Sequence, residues 1–289
     1  MNKRLTVIIT WRDRDELELT LKHNVAAFDS CCSEVIIVNV GGDSRRLRQL
    51  SRAVDFKFKQ IDLPCHDFNK ALSLNIGSFF SRADSEWLFF LDADILLDRE
   101  VLEDCVNSLA DGSFINILRV NESQPEAQSY HKSSSILREV NHTYELVLMD
   151  GKKAKVVYQS WLSGSRTGNG LIIVQKSAFV QINGANADLK GWGFEDADIQ
   201  LRLQFALNLK RMPRGHTIHL THSDKLRDMA DAPHRDITRR RNLEICMDNY
   251  LRGNFLGTYA RDVSFWKNRA VEISGDRREW GGPQSLEIF

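Results

Sequence analysis

Three short stretches of this chain carry residue types that can do chemistry. The first is Asp92-Ala93-Asp94. Two carboxylates one residue apart point the same way if strand geometry persists beyond a strand end. Hard divalent cations such as Mg²⁺ or Mn²⁺ take such oxygens, and phosphate oxygens can complete their shell. An isolated D-x-D is more often a solvated turn, but here WLFFL precedes it and ILL follows. The second stretch is Gly191-Trp192-Gly193-Phe194-Glu195-Asp196, at the start of a helical pattern. Acids at a helix N-terminus often serve only the dipole, yet a cap needs neither the indole nor the glycines. Glycine permits close backbone approach, an exposed indole stacks on a sugar face, and a carboxylate can take a proton from a hydroxyl. The third is His219-Leu220-Thr221-His222. Spacing of three sets the rings on opposite faces of a strand, but together on a turn or helix. Without a metal each histidine is an ordinary polar residue; added to Asp94, imidazole suits Mn²⁺ better than Mg²⁺. Arg12 and Arg14 follow the first apolar run, where they are either surface charge or a diphosphate grip.

The elements that must position these groups alternate. Residues 5–10 (LTVIIT) and 34–40 (EVIIVNV) read as buried strands, and 56–63 as a third. Trp87 starts a fourth that runs straight into Asp92. Between the first two, Leu17, Leu21, Val25 and Phe28 fall on helical spacing. Residues 43–54 look helical, and Asp67 is placed to cap a helix with Phe68, Leu72, Ile76, Phe79 and Phe80 on one face. This alternation predicts an α/β fold: a mostly parallel sheet with helices on both faces. Ligands of such sheets bind beyond the carboxyl ends of the strands, here at Thr10, Asn39, Leu63 and Asp92. Residues 119–168 are less regular, with a hairpin expected about Asp150-Gly151. A strand at 171–174, a short helix, a helix over 195–209 and a strand carrying His216, His219 and His222 follow. The tail reads as helical to about Leu251.

Composition narrows the function classes. The 289 residues hold 39 basic and 39 acidic side chains, so a general nucleic-acid binder, which shows a basic excess, is disfavoured. Five cysteines without a CxxC pair suggest neither a disulfide framework nor a zinc ribbon. No stretch reaches the roughly 18 apolar residues of a membrane span. The expectation is a cytoplasmic protein, at the inner face of a membrane if at one at all; Arg239-Arg240-Arg241 reads first as a solvated helix face and second as a membrane-surface or anionic-glycan patch.

Taken in order, the stretches TWRDR, FNKALSLNIG, DAD, ING…GWGFEDADIQLRL and HxxH resemble the GT-A-fold inverting glycosyltransferases. The likeness is greatest to the β-1,4-galactosyltransferase group and the bacterial chondroitin-polymerase-like enzymes, and it covers roughly residues 5–225. It implies a Rossmann-like GT-A domain over 1–225, in a nucleotide-binding half (1–118) and an acceptor half (119–225), with a largely helical extension over 226–289. It implies Mn²⁺ or Mg²⁺ as cofactor, a UDP-sugar as donor, a glycan or glycolipid as acceptor, and a setting in bacterial surface-glycan synthesis. By the same resemblance Asp94 ligates the metal, with Asp92 at the metal or ribose and His222 a further ligand. His219 falls where the galactosyltransferases have a methionine ligand. Arg12 and Arg14 match donor-binding arginines, Phe68 an aromatic that stacks on uracil, and Thr10, Asn39 and Gly193 complete the donor set. Trp192 and Glu195 contact sugar, and Asp196 is the catalytic base. Two departures stand out: Phe194 replaces a glycine, and Asn39 stands where many GT-A enzymes have aspartate. Two other classes are carried as alternatives. A sugar nucleotidylyltransferase needs a glycine-rich loop after the first strand, where this chain has Trp11-Arg12-Asp13. A non-catalytic sugar-binding module has no use for the Glu195-Asp196 pair.

Overall fold

The computed structural model describes residues 4–54, 56–124, 140–160, 165–191, 193–222 and 235–274. The first half alternates strand and helix as the periodicity predicts: β1 (Leu5–Trp11), α1 (Glu16–Cys31), β2 (Glu34–Val40), α2 (Ser44–Ala53), β3 (Lys59–Leu63), α3 (Lys70–Phe80) and β4 (Trp87–Asp92). These four strands lie in the order β3-β2-β1-β4, all parallel. Side chains alternate in strands, and both faces are covered. Val7, Ile9, Trp11, Val35, Ile37, Phe89 and Leu91 pack with Leu17, Leu21 and Phe28 of α1. Ile8, Ile36, Val38, Leu88 and Phe90 pack on the other side with Leu72 and Ile76 of α3. Two-sided burial is why these strands read as unbroken apolar runs. The chain continues β5 (Ile95–Leu96), α4 (Arg99–Asn107), β6 (Ser113–Glu122), β7 (Val140–Val147), β8 (Lys153–Ser160), β9 (Arg166–Gln175), α5 (Lys176–Gln181), α6 (Glu195–Leu207) and β10 (Lys210–His219).

The second half departs from simple alternation. β9 inserts antiparallel between β4 and β6, β10 runs parallel to β6, and β5 closes the edge antiparallel to β10. The hairpin expected about Asp150-Gly151 is β7–β8, which joins the sheet through β9. With α7 (Arg235–Leu251) it covers the outer face of α6, in a cluster of Val156, Phe194, Leu201, Phe205 and Tyr250. α8 (Tyr259–Trp266) packs against α3, and β11 (Val271–Ser274) adds antiparallel to β3. The described part of the tail is therefore not wholly helical: its last strand forms an edge of the main sheet. Among the described residues no helix is long and apolar enough to cross a membrane.

Two local expectations need correction. The cap of α3 is Asn69, whose Oδ1 accepts from the Leu72 amide at 2.9 Å, and not Asp67, which lies exposed beside His66. Helix α6 stops at Leu207 rather than 209, because Asn208 turns left-handed at φ 54° and ends it.

Candidate active site and metal centre

Chain order reverses at β1: β2 and β3 lie to one side, β4 to the other. The crevice beyond the carboxyl ends of β1 and β4 is where such sheets bind ligands, and Thr10 and Asp92 are register partners there. The loop after β1 is fixed by its own residues. Trp11 is buried and its Nε1 donates to the Arg14 carbonyl at 2.9 Å. Asp13 turns left-handed and its carboxylate accepts from the Asp43 amide at 2.8 Å. This folding brings Arg14 Nη2 to 3.8 Å from Asp94 Oδ2. Arg12 instead donates to the His66 carbonyl at 3.0 Å, beside the segment that carries Phe68.

Asp94 is 128 residues from His222, and the β10–β5 pairing with one backbone bond beyond it brings them together. The Leu220 amide donates to the Asp94 carbonyl at 2.8 Å, and His219 pairs with Ile95 across β10–β5. β10 ends at His219, so the chain turns before His222 and both rings fall on one side, 5.1 Å apart. His219 Nε2 and His222 Nε2 lie 3.4 and 3.2 Å from the same oxygen, Asp94 Oδ2. Burial opposes charge on Asp94, but the two imidazoles outweigh it and hold the carboxyl well below its usual range. One ligand atom from each residue lies within 4.8 Å of the others, so the three can hold one ion. An N₂O donor set fits Mn²⁺ and other borderline cations better than Mg²⁺, and three protein ligands leave positions for phosphate oxygens.

Asp92 does not join that cluster. Its Oδ1 accepts from Lys70 Nζ at 2.7 Å, and the same ammonium lies 3.1 Å from Asp196 Oδ1. Burial works against the Lys70 charge, but Asp196 and Asp92 outweigh it and keep the ammonium above the ordinary lysine range. Burial raises Asp196, with Lys70 pulling it down and Asp92 pushing it up. Burial and then the Asp196 charge push Glu195 up to about 7, and Glu195 Oε2 is buried with no hydrogen-bond partner among the described residues. Lys70 is the member of this group that the residue pattern alone does not single out. One lysine in the first turn of a helix looks like solvated charge until its two partners are known. Gly170 on β9 is another: a Cβ there would lie 2.5 Å from Asp196 Oδ2 and 2.8 Å from Lys70 Nζ. Gly170→Ala is expected to lower kcat roughly 10²-fold by displacing that pair, while Tm falls by only a few degrees. Unchanged kcat in a folded variant would show that Asp196 tolerates the shift.

The remaining expected residues are placed less directly. Thr10 Oγ bonds Ser73 Oγ rather than standing free. Asn39 is buried; its Nδ2 donates to Asp62 Oδ1 at 2.8 Å and its Oδ1 accepts from the Gly42 amide at 2.9 Å. Its amide is thus occupied holding the loop after β2, and the carboxylate beside this pocket is Asp62 from β3. Asn39, Gly41, Ser44, Asp62, Leu63 and Cys65 line a cavity of about 600 Å³. Phe68 is partly buried against the α3 side of the core. Gly193 faces protein: at φ 101°, the site a Cβ would take lies 3.0 Å from Arg239 Cβ of α7, so close backbone approach here serves helix packing. Phe194 is left-handed too, at φ 74°, and its ring packs edge-on to Tyr144. Glycine adopts that conformation without strain; here packing holds a phenylalanine in it. Trp192 lies outside the described residues.

Comparison with known proteins bears on this arrangement. Human chondroitin sulfate N-acetylgalactosaminyltransferase 1 is 27% identical over 186 residues, 63% of this chain and 32% of that protein. The mouse counterpart matches to the same extent, so the match spans about a third of these curated relatives. Among solved structures, a mutant Drosophila β-1,4-galactosyltransferase 7 in complex with manganese, UDP-Gal and xylobiose covers 81% of this chain and 79% of its own, at 15% identity and TM-score 0.47. A mannosyltransferase of Pyrobaculum calidifontis in complex with GDP-Man and Mn²⁺ covers 92% and 75%, at 15% identity and TM-score 0.48. Residues 6–242, more than half of the 289-residue chain, match glycosyltransferase-like family 2, and the chain belongs to that family.

Proposed function

We propose that this chain transfers a hexose or N-acetylhexosamine from a UDP-sugar to an acceptor hydroxyl, with Mn²⁺ as cofactor and inversion at the anomeric carbon. The observation that carries the reading is Lys70, whose ammonium ties Asp196 of α6 to Asp92 at the end of β4. Asp92 is two residues from Asp94 of the Asp94, His219 and His222 cluster, which supports Asp196 as a proton-accepting carboxylate beside a cation. Asp94, His219 and His222 would hold the cation, which when bound supplies positive charge to the diphosphate. Arg14, beside Asp94, adds a fixed cation there. The pocket of Asn39, Asp62 and Leu63 at the ends of β2 and β3 is open to the nucleoside.

In this reading Asp196 takes the acceptor proton as the acceptor oxygen bonds to the anomeric carbon and the bond to the UDP oxygen breaks. Burial makes Asp196 a stronger base than an exposed aspartate, and Lys70 limits the rise. Glu195, with an unpartnered oxygen and a value of about 7, is suited to hydrogen-bond a sugar hydroxyl. The test is a panel of nucleotide sugars with Mn²⁺. A UDP-sugar at about 100 times its Kd should add roughly 2.7 kcal/mol and raise Tm by about 5 °C or more, and should be hydrolysed slowly. A panel in which no UDP-sugar shifts Tm sinks the reading.

A further inference from the structure

The acid that ends β6, Glu122, has no part in the chemistry above, yet its side chain is only 2% exposed. It is the register partner of His219 across the parallel β6–β10 pair. Its Oε2 lies 2.6 Å from His219 Nδ1 and accepts from Thr221 Oγ1 at 3.1 Å. Its Oε1 lies 3.6 Å from Arg166 Nε, whose side chain is 38% exposed. An ionised carboxylate only accepts, so His219 Nδ1 must carry the proton of the short bond. The lone pair of the neutral ring then sits on Nε2, the nitrogen 3.4 Å from Asp94 Oδ2. Without that bond the ring is free to move its proton to Nε2 or to turn over, and either change removes a ligand. Thr221, between the two histidines, also ties the turn to Glu122 and to Ser123.

We propose that Glu122 is a positioning residue for the cation: it fixes the tautomer and the orientation of His219 so that Nε2 faces the ion. This rests on the reading of Asp94, His219 and His222 as a cation site, and the experiment separates the two. Mn²⁺ alone is titrated into the full chain, with free Mn²⁺ read by electron paramagnetic resonance. Glu122→Ala should weaken Mn²⁺ binding 10- to 100-fold. Glu122→Gln, whose amide oxygen still accepts from Nδ1, should weaken it less. In a His219→Ala background neither change should weaken binding further, because the group through which Glu122 acts is gone. Equal weakening with and without His219 overturns the proposal and leaves Glu122 a general packing residue. Unchanged Mn²⁺ affinity in both variants overturns it as well. If Glu122→Ala does not fold, Glu122→Gln completes the cycle. Failure of the wild-type chain to bind Mn²⁺ removes the cation reading itself and this proposal with it.

Discussion

Asp196→Asn is expected to lower the transfer rate by about 10³-fold while UDP affinity stays within a few-fold of wild type. A positioned general base contributes roughly 10²–10⁴-fold, and asparagine keeps the shape while losing the ability to accept a proton. The stability readout makes the result specific. Burial raises the Asp196 value in the fold. A raised carboxyl contributes stability that is present below its unfolded value and lost as pH rises through the folded one. The asparagine variant, which cannot ionise, should therefore lose less stability than wild type as pH rises through that value. That difference should shrink as pH falls and wild-type Asp196 takes up its proton. Loss of rate without loss of stability marks a group kept for chemistry. Glu195→Gln is the companion measurement. Near-wild-type turnover in Asp196→Asn, with turnover lost in Glu195→Gln, reassigns the base to Glu195.

How much of this was legible in the sequence depends on how local the cause was. β1, β2 and β4 could be read directly, because two-sided burial leaves apolar runs that no other packing requires. The hairpin about Asp150-Gly151 followed from turn chemistry. The relation of His219 to His222 stayed ambiguous, since three residues separate them on a strand and join them on a turn. What decides it is that β10 ends at His219. Residues defined by distant partners were silent. Lys70 matters because β4 and α6 deliver Asp92 and Asp196 to it. Glu122 matters because β6 runs beside β10, in a region the periodicity left irregular. Gly193 was legible as unusual, but α7, which fills the space beside it, is announced by no local pattern there. The insertion of β9 between β4 and β6, which carries Gly170 to Asp196, is likewise a matter of long-range pairing.

Asp94→Asn is expected to abolish measurable metal dependence, with turnover at saturating Mn²⁺ about 10³-fold below wild type. A cation that offsets charge on a leaving diphosphate supplies several kcal/mol, and each 1.36 kcal/mol is about tenfold in rate, which sets the size of the loss. The structure says why one oxygen matters so much. Asp94 Oδ2 is the atom that both imidazoles approach, at 3.4 and 3.2 Å, and Arg14 adds positive charge at 3.8 Å. Remove the carboxylate charge and the two imidazoles and the guanidinium lose the oxygen they share, so a divalent cation has little reason to enter. The same charges make binding pH-dependent. Contacts with Asp94 and Glu122 outweigh burial and raise the His219 value in the protein. His219 must be neutral to ligate, so Mn²⁺ affinity should tighten as pH rises through that value, by up to about tenfold per unit. Wild-type protein stripped with a chelator should be inactive and recover best with Mn²⁺, less with Mg²⁺, because two of the three candidate ligands are imidazole. Full transfer by the chelated protein, or equal rescue of wild type and Asp94→Asn, would take the cation out of the reaction. Lys70 and Arg14 would then be the charges left to hold the diphosphate.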